Sequence, residues 1–146
     1  MIVMKFGGTS VGSADLIRRV GSIINTRLDR KPLVVVSAVA GTTDQLEALG
    51  GFAAQGDQQS LEKMIAEIIS SHQALINDLG LASDDALHSI VHSARGELER
   101  LSASIHKREG DARQLQDELS SIGEFLSSHI LASYLSSDTI DAVMAD

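Results

Sequence analysis

Two short Val- and Ile-rich runs, residues 2–6 and 33–37, bracket a stretch whose apolar residues recur at helical spacing. The second run is opened by Pro32, the chain's only proline. Between them, residues 13–30 place Leu16, Ile17, Val20, Ile23, Ile24 and Leu28 on one face, with Ser13 as N-cap and Asp15 in the first turn. Strand, helix, strand at this spacing is a βαβ unit, which requires a parallel pair and a right-handed crossover. The unbroken Leu33-Val34-Val35-Val36 run suits a strand covered on both faces. After Leu49, Gly50, Gly51 and Gly56 punctuate a polar stretch, and three helical patterns follow. Ser60 caps the first, which stops at Gly80; Ser83 caps the second, which ends near Gly110; the third covers residues 111–136. Residues 139–144, Thr-Ile-Asp-Ala-Val-Met, read as a third strand. The expected class is α/β, a mainly parallel sheet carrying a helical insertion.

The junction between the first strand and its helix has a definite chemistry. In Val3-Met4-Lys5-Phe6-Gly7-Gly8-Thr9-Ser10-Val11, a lysine at the strand end precedes two glycines and two hydroxyls. Gly7 and Gly8 let backbone N–H groups approach an anion closely and accept positive φ. Lys5 adds a mobile charge, Thr9 and Ser10 add donors, and the helix N-terminus lies nearby. A P-loop is excluded, because there the lysine follows the glycines. Gly7, Gly8 and Gly12 also miss the spacing of a dinucleotide fingerprint. The plain alternative is a surface lysine beside an ordinary Gly-Gly turn.

Two further segments stand out. Ser37-Ala38-Val39-Ala40-Gly41-Thr42-Thr43-Asp44 follows the second strand, where ligands sit in open α/β sheets. Taken alone, it reads by default as a turn leading into an N-cap. Ser120-Ser121-Ile122-Gly123-Glu124-Phe125 puts a single glutamate within an apolar helical segment. Periodicity leaves Glu124 either solvated or turned toward a partner. His88 and His92, four apart, lack a third ligand nearby, and Asp84-Asp85 reads as stabilisation of a helix N-terminus.

Composition narrows the classes. The chain has 146 residues, enough for a real core, and only 3% are aromatic, so that core is aliphatic. With 12 basic and 20 acidic residues the net charge is -8, and no basic stripe compensates, which argues against nucleic acid. No apolar run approaches the roughly 20 residues of a membrane span. There is no cysteine, so thiolate chemistry is absent, and a cytoplasmic location is expected.

The 3–11 segment resembles, at every position, the aspartokinase signature: apolar, any residue, Lys-Phe/Tyr-Gly-Gly-Thr-Ser, apolar. Residues 37–44 resemble the same family's Ser-Ala-x-x-Gly-x-Thr-Asn loop, with Asp44 where asparagine is usual, and residues 121–124 resemble its Ser-x-Gly-Glu element. The resemblance covers the whole chain as the N-terminal portion of a longer kinase domain. It implies a three-layer αβα sandwich of the amino-acid kinase type and ATP-dependent phosphorylation of the L-aspartate side chain to 4-phospho-L-aspartate, the first step toward lysine, threonine and methionine. Lys5 would be catalytic; Lys5, Gly7, Gly8, Thr9 and Ser10 would hold the ATP phosphates with Mg²⁺, and Ser37, Thr43 and Glu124 would hold aspartate. No protein-bound metal site is implied. The enzyme would be a cytoplasmic homo-oligomer with neither nucleic-acid nor membrane partners. The adenine pocket and the regulatory domain would lie downstream, leaving these residues inactive alone. Alternatives are another amino-acid kinase, or a helical interaction module whose Gly-Gly loop holds nothing.

Overall fold

A computed structural model describes residues 1–138 and 140–145. Strand β1 (Ile2–Phe6) leads through a 3₁₀ turn (Gly8–Ser10) into helix α1 (Ala14–Asn25). A second 3₁₀ turn (Leu28–Arg30) precedes strand β2 (Pro32–Val36). Four helices follow: α2 (Thr42–Gln55), α3 (Gln58–Asp78), α4 (Asp85–Lys107) and α5 (Ala112–Ser137). β1 and β2 pair in parallel, with Ile2 opposite Pro32 and Lys5 opposite Val35, which is the expected βαβ unit.

Ser13 caps α1 as its sequence requires, accepting from the Leu16 amide at 3.3 Å. The buried stripe is narrower than the sequence pattern: Ile17, Val20 and Ile24 are enclosed, while Leu16, Ile23 and Leu28 stay partly exposed. The caps of α3 and α4 are aspartates rather than the nearby serines. Asp57 accepts from Ser60 N and Asp84 from Leu87 N, because a carboxylate is the stronger acceptor for the free amides of a helix start. Gly80, at φ 78°, terminates α3 as expected, whereas α4 ends at Lys107 with Arg108 left-handed at φ 57°.

Two larger corrections concern the middle and the end of the chain. Gly50 and Gly51 do not interrupt structure: α2 runs straight through them. Gly50 is buried, and a Cβ there would land on the Gln116 amide of α5, so this glycine allows close helix packing. The third strand is not formed in residues 140–145, and Thr139 lies outside the described residues. Ile140 instead folds back on α5, its amide donating to Leu135 O at 3.0 Å and its side chain buried.

The described sheet therefore has two strands and one covered face. Met4, Phe6, Val34 and Val36 pack on a continuous aliphatic core shared with all five helices. On the other face Val3, Leu33 and Val35 remain 66%, 44% and 43% exposed, so the expected two-sided cover of β2 is absent among the described residues.

Candidate active site

Lys5 is the penultimate residue of β1 and stands on the open face of the sheet, exposed, beside its pairing partner Val35. The chain then leaves the strand at Gly7, whose φ of -76° is ordinary extended backbone. None of Gly7, Gly8 and Gly12 has positive φ, so the conformational reason for glycine offered by the sequence does not apply here. Sterics provide another. A Cβ on Gly8 would sit 2.5 Å from the Ala38 carbonyl oxygen, which no larger residue tolerates. A Cβ on Gly7 would meet nothing within 4 Å, leaving open space over the strand end. The 3₁₀ turn consumes the Ser10 and Val11 amides, which donate to Gly7 O and Gly8 O. The amides of Gly8 and Thr9 take no part in it.

The segment after β2 is fixed from the other side. Ser37 N donates to Phe6 O at 3.0 Å, continuing the ladder one rung past the strand, and Thr42 N donates to Val39 O at 3.0 Å. Gly41, at φ 85°, then opens α2 with no side-chain cap. Thr42 is buried, while Thr43 and Asp44 are exposed in the first turn. Asp44 thus lies where a carboxylate favours the positive end of the helix. Helix α1 starts at Ala14, just past the 3₁₀ turn, and a second helix start follows β2, that of α2 at Thr42. The succession Gly41-Thr42-Thr43-Asp44 was the available signal for it.

Helix α5 closes the arrangement. A Cβ on Gly123 would lie 2.8 Å from Ala38 Cβ and 3.1 Å from Thr42 Cγ2. The atoms this glycine admits belong to the loop and α2. The neighbouring Glu124 is exposed and lines a groove of about 700 Å³ along the free edge of β2, together with Val35, Phe125 and Ser128. Among the described residues neither Lys5 nor Glu124 takes part in an ion pair. Lys5 stands opposite Val35 in the sheet, and Val35 shares the groove with Glu124.

All three sequence segments therefore meet at Ala38, which is only 5% exposed. Gly8 touches its carbonyl and Gly123 its methyl, while Ser37 and Thr42 flank it. Its role is invisible in sequence, because an alanine carries no chemical signal. A separate cavity of about 490 Å³ between α3 and α4, lined by Glu62, Arg95, Glu99 and His106, contains none of these residues. Of the paired histidines, His88 is engaged through Nε2 with the Ala82 carbonyl at 2.8 Å.

This is an α/β protein in which the loops that follow two parallel strands gather at the strands' carboxyl ends. Residues 1–146 match the amino acid kinase family, and the chain belongs to it. It is 35% identical to the aspartokinase of Chlamydia muridarum over 139 residues, covering 95% of this chain and 28% of that protein. Against aspartokinase 1, chloroplastic, of Arabidopsis thaliana it is 33% identical over 147 residues, covering 99% of this chain and 25% of the relative. Its fold matches E. coli aspartokinase III in complex with aspartate and ADP (R-state) with a TM-score of 0.80 at 26% identity, covering 95% of this chain and 29% of that one. The same enzyme in complex with lysine and aspartate (T-state) matches at 0.73. The chain spans little more than a quarter of the length of these relatives.

Proposed function

We propose that this chain forms the phosphate- and aspartate-proximal part of an aspartate kinase, which transfers the γ-phosphoryl of ATP to the side-chain carboxylate of L-aspartate. The observation that carries the reading is the convergence of three separate segments on Ala38, with an unpaired lysine on one side and an unpaired glutamate on the other. The relatives are aspartokinases, and one similar structure holds aspartate and ADP.

The nucleophile is already an anion, so the reaction needs no base. It needs two anions brought into line and their charge neutralised. Lys5 reaches the transferring phosphoryl from the strand end, and the Gly7–Thr9 backbone with the Thr9 and Ser10 hydroxyls donates to its oxygens. The open space at Gly7 suits a phosphate group there. The Lys5–Ser10 loop would hold the nucleotide phosphates together with their Mg²⁺, which would supply charge neutralisation there. Thr43, at the start of α2, and Ser37 orient the aspartate, and Glu124 pairs with its α-ammonium. A carboxylate at 124 favours a substrate with a free amino group over other amino-acid-kinase substrates.

The wider enzyme is a three-layer sandwich, its second helical layer lying over Val3, Leu33 and Val35, and a cytoplasmic homo-oligomer that opens lysine, threonine and methionine synthesis. The test is ATP-dependent acyl-phosphate formation by the full-length protein, trapped with hydroxylamine as the hydroxamate. Product with aspartate and not with glutamate supports the reading; product with neither overturns it.

A further inference from the structure

Ser127, one turn beyond Glu124, is 2% exposed. Its hydroxyl lies 3.1 Å from the Glu124 carbonyl, the ordinary i−3 bond of a helical serine. That local bond suffices for Ser121, Ser128 and Ser137 on the same helix, each of which donates only to the carbonyl three residues back. Ser127 differs: it lies closer, at 2.8 Å, to the carbonyl of Ser37, 90 positions away. The Ser37 amide on the same residue donates to Phe6 O. The single Ser127 hydroxyl hydrogen goes to the nearer carbonyl, so hydrogen bonds run from the end of β1 through Ser37 to Ser127, one turn past Glu124. Gly123 makes it possible by letting α5 approach the loop closely.

We infer that Ser127 is a positioning residue for the aspartate subsite, holding the Glu124 turn of α5 at a fixed distance from the Ser37–Thr43 loop. This rests on the aspartate-kinase reading above. Ser127 does not itself face substrate; it is buried beneath the loop. An α-amino acid presents its ammonium and carboxylates at fixed separations, so the gap between loop and helix decides how well both ends are held together. The nucleotide phosphates depend on the β1 loop, which is also seated by the close approach of Gly8 to Ala38, a contact Ser127 does not make. Loosening the bond therefore acts selectively on aspartate.

The experiment compares Ser127→Ala and Ser127→Thr in the full-length protein by steady-state kinetics for each substrate, with thermal melting as the fold control. Alanine should raise the KM for aspartate about three- to tenfold, the scale of one buried hydrogen bond, and leave the KM for ATP within about twofold. Threonine, which keeps the hydroxyl, should restore most of the loss. Should the alanine variant fail to fold, Ser127→Cys keeps the volume, weakens the donor and must show the same selective rise. Equal changes in both constants, no change, or a loss that threonine does not relieve would overturn the positioning role. A parent protein that phosphorylates no aspartate would instead overturn the functional reading beneath it.

Discussion

Ile68 in α3, Leu98 in α4 and Leu119 and Leu126 in α5 expose no surface, whereas on the open side of the sheet Val3 keeps two-thirds of its surface in water. The helices satisfy one another: their apolar faces interlock, and Asp57, Asp84 and Asp111 cap α3, α4 and α5 from adjacent positions. The sheet does not. Each strand has one neighbour and one covered face, and the charged groups of the candidate site sit beside that uncovered surface. Stability and chemistry are thus assigned to different regions, and substitutions should separate them.

The sharpest separation pairs a core leucine with the site lysine. Leu98→Ala should lower the unfolding free energy by about 2–5 kcal/mol, the cost of a buried Leu-to-Ala truncation with its cavity, yet leave the turnover of the remaining folded protein unchanged. Lys5→Ala should do the reverse. Loss of one preorganised charge stabiliser removes about 10²–10³ of kcat, while the melting temperature holds because Lys5 is exposed. Retention of more than about a tenth of kcat by the lysine variant would break the comparison at its functional end.

Glu124→Gln comes next in size. Removing a charge partner of the substrate ammonium should raise the KM for aspartate about tenfold to a hundredfold and spare that for ATP, as a charge-assisted hydrogen bond implies. A parallel rise in both would place Glu124 with the structural residues instead.

A smaller effect concerns His72, buried in the helical region. Its Nδ1–H donates to Ile68 O at 2.7 Å, and its Nε2 has no partner among the described residues. Burial holds its pKa below the ordinary histidine value. The unfolded chain therefore binds a proton there before the folded one does, and folding stability falls as pH drops below about 6.5, by at most about 1.4 kcal/mol per pH unit. Urea midpoints of the parent should decline from pH 7 to 5.5, and His72→Leu should flatten that slope. Asp84, held low chiefly by the Ser133 hydroxyl and then by the Leu87 amide, loses its contribution only below the ordinary carboxylate range and does not interfere. The smallest effect belongs to the open face: Val35→Thr should alter stability by less than about 0.5 kcal/mol, as for exposed positions generally.

The βαβ unit and three of the four long helices were legible because their signals are local: apolar periodicity, one N-cap serine and the Gly80 stop. What was illegible depends on partners distant in sequence. Gly50 and Gly51 read as punctuation because nothing local shows that Gln116 packs on one of them. Ser60 and Ser83 competed with adjacent aspartates, and the choice turned on acceptor strength. Residues 139–144 have strand composition, yet Ile140 found burial against α5 instead. At the candidate site the charged and hydroxyl side chains stand out in sequence, whereas the contacts of Ala38 and Ser127 have no chemistry to read until the loops are brought together.

The Ser127–Ser37 contact also orders events in time. A ribosome releases the Gly-Gly loop early, but the hydrogen bond that indexes α5 against the second loop closes across 90 positions and cannot form until α5 emerges. Closing so wide a loop follows the formation of local helical turns. The pocket geometry is thus acquired only once α5 is made, and nascent chains that stop short of it display a lysine and two glycines without the companion that would make them selective.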